Sequence, residues 1–285
     1  MNIVFKLIPI YFKTLSLISP RLSAKKAFKL FQKTRGFPLK KKEIVFYKKT
    51  NSSILETSIG TINYYCVGNP KGELVVLVHG WDANAGSMSG IGDALAEKGF
   101  HVISLDFPAH GNSKLKYLNI VTAKEALKAL IHEVVNDKPF SIIAHSFGSL
   151  VSAITLSELQ IKIKHLIYLT TPDKASTMFE YFRDGIGLGE KAFEHLIKKG
   201  EALIKAPMSS LDVLELTKTI KYEDLLLIHD KFDRVLPHQN SLTLDNSLPN
   251  STLFTINKVG HSRMLWNESV QNKIIENFSL DSKEK

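Results

Sequence analysis

Short apolar runs alternate with amphipathic stretches along most of this chain. Residues 74–80 (Leu-Val-Val-Leu-Val-His-Gly) open on a continuous aliphatic run, 74–78, of the kind that suits a strand buried on both faces, as in a parallel sheet under helices. Further strands are expected at residues 100–106, 140–145, 164–170, 225–230 and 251–259. Helical periodicity fills the gaps. One helix is expected to begin near residues 84–88, to carry Ile91, Leu95 and Ala96, and to end near Gly99. Thr122 and Glu125 have the spacing of a capping box, predicting a helix through Leu127, Leu130, Ile131 and Val134 to Asn136. Leu150, Val151, Ala153, Ile154 and Leu156 mark another. Alternating strands and helices predict an α/β fold with a mostly parallel, doubly wound sheet.

Two regions depart from that alternation. Before it, residues 43–48 and 60–67 read as antiparallel strands, and residues 68–72 as a loop. Inside it, Thr171 and Pro172 open an insertion running to about Lys221. Met178, Phe179, Tyr181, Phe182, Ile186, Leu188, Phe193, Leu196 and Ile197 are spaced there for two or three short helices. Its glycine-rich stretch, residues 184–189, follows no strand and lacks the spacing of a dinucleotide cradle. It reads as a flexible joint between helices. The chain therefore divides into an N-terminal arm (1–50), a core (51–173 and 221–285) and a helical cap (174–220).

Charge changes the picture of the arm. Of 37 Lys and Arg residues, 13 lie in residues 1–50, with only one of the 28 acids, Glu43; the remainder holds 24 basic and 27 acidic residues. The basicity thus belongs to the arm. Ser19-Pro20 reads as an N-cap and first helical position, followed by Ala24, Ala27, Phe28 and Phe31 on one helical face. The main expectation is that this stripe packs on the body. The alternative is that residues 1–35 rest on an anionic membrane. No span of about 20 apolar residues is present, and Lys13 interrupts the apolar core that a signal peptide would need. A cytoplasmic setting, or a membrane-peripheral one, follows. Nucleic acid is disfavoured as a partner because the body is slightly acidic and carries no binding motif. The one cysteine, Cys66, excludes an internal disulfide and a cysteine-based metal site.

The chemistry centres on residues 140–148, Phe-Ser-Ile-Ile-Ala-His-Ser-Phe-Gly. A strand, a sharp turn with Ser146 at its apex, and a helix follow in sequence. Ala144 and Gly148 flank the serine two positions away on either side, as a tight turn requires. A serine hydroxyl needs a base to remove its proton, and the base needs a third group to orient it. Asp230 ends the strand predicted at residues 225–230, Asp233 lies three residues on in an acidic loop, and His261 follows Gly260 at the end of the last predicted strand.

This order, serine then acid then histidine, resembles the α/β-hydrolase superfamily, whose nucleophile elbow usually reads Gly-x-Ser-x-Gly; here Ala144 holds the first glycine position. The resemblance covers roughly residues 60–280. By it, Ser146 is the nucleophile and His261 the base. Asp233 is the acid, because residues 233–237 (Asp-Arg-Val-Leu-Pro) fit the family loop, while Asp230 stands where that loop has glycine. His79-Gly80 matches a turn common in the family, which makes the backbone N–H groups of Trp81 and Phe147 the oxyanion hole. His79, Asp106 and His110 are expected to brace loops. The resemblance further implies a serine hydrolase, carboxylesterase-like, that acts on a small-molecule, partly apolar acyl substrate of open chain length without metal or cofactor. Thioesterase, C–C hydrolase and cofactor-free haloperoxidase share the fold and triad, and an idle binding protein of the same fold is the alternative from another class. Since every motif lies downstream of the arm, removing residues 1–35 is expected to leave chemistry on small esters intact.

Overall fold

The computed structural model describes residues 3–135 and 138–279, and for residues 3–6 the backbone alone. Its sheet contains β1 (Asn51–Thr57), β2 (Gly60–Gly68), β3 (Leu74–Val78), β4 (His101–Asp106), β5 (Phe140–His145), β6 (Lys162–Leu169), β7 (Lys221–Asp230) and β8 (Ser251–Ile256). They lie in the order β1-β2-β4-β3-β5-β6-β7-β8. β2 pairs antiparallel with both β1 and β4, and the pairings from β4 through β8 are parallel.

Alternate residues of the central strands feed two separate cores, the period of two expected of a pleated sheet buried on both faces. Val76, Val78, Ile142, Ala144, Leu225 and Leu227 join one cluster. Val75, Leu77, Ile143, Ile167, Leu226 and Ile228 join the other. Helices α4 (Ser89–Glu97) and α11 (Glu268–Ser279) cover the second face; α5 (Ile120–Val134) and α6 (Phe147–Leu159) cover the first. Gln239–Ser247 forms α10, beside β7 and β8.

Helix starts follow local capping chemistry. Asn84 caps the 3₁₀ turn that leads into α4, its Oδ1 accepting the Ser87 N–H at 3.1 Å. α5 begins earlier than the Thr122 capping box predicts. Asn119 is the N-cap, and Thr122 closes the box as its third residue: Asn119 Oδ1 accepts the Thr122 N–H, and Thr122 Oγ1 the Asn119 N–H, both at 3.0 Å. Asparagine is the stronger cap and lies one turn upstream. The helix is assigned to Val134; Asn136 lies outside the described residues.

Residues 43–48 are a second correction. They belong to a helix, α3 (Lys41–Lys49), and the antiparallel partner of β2 is instead β1. Glu43 closes the first turn by accepting the Lys40 N–H at 2.8 Å. Its side chain and that of Phe46, three residues on, turn inward, while Ile44 and Val45 stay exposed. Apolar alternation over six residues is too short to separate strand from helix when the buried pair is spaced by three.

The arm packs on the insertion. α1 (Ile3–Ile18) and α2 (Pro20–Phe31) form a helical hairpin with Ser19 as the cap of α2; its Oγ accepts the Leu22 N–H at 3.4 Å. The insertion folds into α7 (Ala175–Ile186), α8 (Glu190–Ile204), a 3₁₀ turn and α9 (Val213–Thr217). Ala24 and Ala27 are fully buried, letting α2 run close against α8. The joint expected to be flexible is held by α1. Gly187, at φ +67°, leaves so little room that a Cβ would meet Pro9, and the Gly189 N–H donates to Ser16 Oγ at 3.1 Å. Among the described residues no helix is long and apolar enough to cross a membrane.

Candidate active site

β5 delivers the chain into α6 through Ser146, whose backbone takes φ +53° and ψ −122°, a conformation side chains rarely adopt. The turn closes because its neighbours are small. A Cβ on Gly148 would lie 2.6 Å from the carbonyl oxygens of Val78 and His79, and one on Gly80 would lie 3.1 Å from Ser146 Cβ. Ala144 is fully buried, so its methyl is accommodated. The Ser146 N–H is anchored on Leu169 O at 2.9 Å. Together these hold the hydroxyl at the mouth of a cleft of about 890 Å³.

His261 arrives on the loop after β8. Its Nε2 is 3.1 Å from Ser146 Oγ, and its Nδ1–H donates to Asp233 Oδ2 at 2.8 Å. The Asp233 side chain is fully buried and well supplied with donors. Oδ2 also accepts the Thr170 hydroxyl at 2.6 Å, and Oδ1 accepts the N–H groups of Val235 at 2.7 Å and Leu236 at 3.2 Å. Burial would raise its pKa, but the hydrogen bonds from His261 and Thr170 outweigh that and hold the carboxylate ionised well below the usual range. Thr170 stands at φ +52° just past the end of β6, and the sequence analysis missed it. Its only sequence signal is its position as the last residue of a predicted strand, at the end where open α/β sheets gather site residues.

The competing acid, Asp230, does a different job. It accepts the N–H groups of Phe232 at 2.8 Å, Lys258 at 3.0 Å and Gly260 at 2.5 Å, tying the His261 loop to the end of β7. His145 fixes that loop from the other side, its Nε2–H donating to the His261 carbonyl at 2.9 Å. Burial above all, then the neighbouring His261, lowers its pKa to about 3, so it stays a neutral donor.

Trp81 and Phe147 both line the cleft, their rings in edge-to-face contact at 5.0 Å. Phe147 is the first residue of α6, and an N–H there has no intrahelical acceptor, which leaves it available to an anion. The Trp81 loop is braced by buried neutral histidines. His79 Nε2 accepts the Phe107 N–H at 3.0 Å, and His110 Nε2 accepts the Asp82 N–H at 2.9 Å. Burial lowers the pKa of both. Asp106 accepts from Tyr47, Tyr65, Ala85 and Asn112 and is used up as a structural knot. Among the described residues no group of His, Cys, Asp and Glu has the arrangement of a metal site.

The arm supplies a wall of the cleft, which the sequence analysis did not anticipate. Residues 34–40 line it, and Arg35 holds Asp82, next to Trp81, through its backbone N–H at 2.8 Å and its Nε–H at 2.5 Å. Phe31 stacks on Trp81 at 5.3 Å and touches Phe179 at 4.4 Å. Behind these rings lies a small apolar chamber bounded by Phe28, Phe31, Trp81, Phe147, Met178 and Phe179. Arm, core and insertion therefore meet at the site. The expectation that chemistry on small esters survives removal of residues 1–35 has to be weighed against this contact of Arg35 beside Trp81.

Comparison with known proteins agrees with the architecture. A sequence model of the α/β hydrolase fold matches residues 73–187. A serine hydrolase-like protein of Dictyostelium discoideum is 32% identical over 98 residues, 33% of this chain and 27% of that protein. An AB hydrolase superfamily protein of Gibberella zeae is 27% identical over 144 residues, 49% of this chain and 50% of that protein. The human serine hydrolase-like protein is 27% identical over 140 residues, 46% of this chain and 65% of that protein. The chain thus spans less than two thirds of the length of these relatives. Among solved structures, a Pyrococcus furiosus esterase superposes with a TM-score of 0.64 at 21% identity, covering 86% of this chain and 96% of that one. The thioesterase domain from the curacin biosynthetic pathway gives 0.60 at 17% identity, covering 79% and 99%. With its eight-stranded, mostly parallel sheet and a serine-bearing elbow between β5 and α6, the chain has the α/β-hydrolase fold.

Proposed function

We propose that the protein is a serine hydrolase that cleaves an acyl ester through an acyl-enzyme. The observation that carries this reading is the continuous hydrogen-bonded path from Ser146 Oγ through both ring nitrogens of His261 to a buried, ionised Asp233. Ser146 Oγ attacks the acyl carbonyl as its proton passes to His261 Nε2. The carbonyl oxygen gathers negative charge facing the Trp81 and Phe147 N–H groups. Collapse breaks the acyl–oxygen bond, and His261 returns the proton to the departing alcohol. Water then repeats the sequence on the acyl-enzyme, releasing the acid and restoring Ser146. Asp233 orients the imidazole and stabilises its cation throughout. The cleft wall of Trp81, Met178 and Tyr181, with Phe31 behind it, favours a partly apolar acyl group.

A fluorophosphonate probe tests the nucleophile. The folded protein is expected to label, and Ser146→Ala to abolish labelling. Hydrolysis of p-nitrophenyl esters compared with matched acyl thioesters then separates esterase from thioesterase. A folded protein that neither labels nor hydrolyses would favour an idle binding protein.

A further inference from the structure

Helix α1 is apolar on two faces, and the body uses only one. Ile8, Phe12, Leu15 and Ser16 turn inward, toward the hydrophobic core and the insertion. Leu7, Ile10, Tyr11, Leu17 and Ile18 recur at helical spacing on the opposite side and stay in solvent, with Ile10 63%, Leu17 82% and Ile18 76% exposed. A contiguous apolar stripe of this kind on a folded surface marks a docking face.

The neighbouring helix identifies the occupant. On α2 the outward positions are Arg21, Leu22, Lys25, Lys26 and Lys29, all exposed, and the run continues in exposed Lys33. Lys26 reaches over the Tyr11 ring at 5.5 Å, which places the basic stripe of α2 beside the apolar stripe of α1. Neither helix contains an acid. A second copy of the chain would bring two such cationic stripes together with no acid on either hairpin to pair them, and a neutral apolar partner would leave them unused. Apolar side chains beside a row of cations match the acyl boundary and headgroups of an anionic bilayer. With 16 residues, α1 is too short to span a bilayer and suits lying along its surface.

We infer that the α1–α2 hairpin seats this protein on anionic membrane surfaces. The hairpin runs directly into residues 34–40, which line the cleft, so a seated hairpin holds the cleft near the lipid. The inference does not depend on the hydrolytic reading. The test is sedimentation of the full chain with phosphatidylcholine vesicles, with and without roughly a third phosphatidylglycerol, at roughly 0.1 M and 0.5 M salt. Binding is expected only with phosphatidylglycerol and should weaken at the higher salt. Leu17→Ser with Ile18→Ser, and separately Lys25→Glu with Lys29→Glu, should each weaken it about tenfold or more. All four side chains are exposed, so thermal melts should not move. Absence of binding to anionic vesicles, or binding that both double variants leave unchanged, overturns the inference. So does a dimer, seen by sedimentation velocity, that Leu17→Ser with Ile18→Ser dissolves while vesicle binding is absent; that result would assign the stripe to a second copy.

Discussion

Gly260 donates its backbone N–H to the Asp230 carboxylate at 2.5 Å, one residue before His261 presents its ring to Asp233. The two aspartates therefore act on one loop in different ways, one on its backbone and the other on the imidazole. Asp233→Asn keeps the shape but replaces an ionised acceptor, and turnover should fall on the order of 10⁴-fold, as in serine proteases. Asp230→Asn removes one of two oxygens that serve three backbone donors, so its main effect should be on stability, about 1–3 kcal/mol. Ester turnover and denaturant melts of both variants check this. Loss of turnover in Asp230→Asn with an unchanged Asp233→Asn would reverse the assignment.

Strain at the elbow makes a separate prediction. Ser146 sits at φ +53°, a region that glycine enters without penalty. Ser146→Gly should be inactive yet more stable than wild type by on the order of 1 kcal/mol. Ser146→Ala should be equally inactive but keep the strain, with little gain. Thermal melts of the pair decide whether backbone geometry is the cause.

Phe31 and Arg35 should matter to chemistry despite lying in the arm. Phe31→Ala leaves a gap between Trp81 and Phe179, and should lower stability by about 2–3 kcal/mol, below the typical fully buried value because Phe31 is partly exposed. Removing residues 1–40 should cut kcat/KM even on p-nitrophenyl acetate, because Asp82 loses both Arg35 hydrogen bonds beside Trp81. Unchanged kcat/KM in a folded truncation would show the arm to be separate from the site.

The buried histidines set the acid limit of the fold. Burial above all lowers His145 to about 3 and His229 to about 4, each from an ordinary value of 6.5. Between those values and 6.5 the unfolded chain binds protons that the folded chain refuses, so stability is greatest above pH 6.5 and declines as pH falls toward 4. Asp233 is depressed, so most of its contribution persists until the pH falls through the ordinary carboxylate value of 3.8, and it cannot cause the decline that begins near pH 6.5. Melting temperature should thus fall steadily from about pH 7 to pH 4.5. His229→Gln should flatten the decline, and a level profile in the wild type would refute the account.

What the sequence determined by itself was the part whose causes are local. Apolar runs such as 74–78 and 142–144 suit strands covered on both sides, and small residues around Ser146 permit the turn that presents it. Asp230, Asp233 and His261 stood out as candidates by lying at or just past such strands, and the choice of Asp233 rested on the resemblance of residues 233–237 to the family loop. The tertiary structure decided what depends on distant partners. Whether residues 43–48 were strand or helix turned on Phe46 packing on Ala85 and Tyr65 and on Glu43 settling against Gly86. Thr170 became part of the site only because β6 lies beside β7 and brings its hydroxyl to Asp233, 63 residues away. The arm's apolar spacing said that it would bury a face, but not where. Docking on the insertion placed Phe31 on Trp81 and Arg35 on Asp82, contacts that no periodicity encodes because they join segments whose patterns are independent.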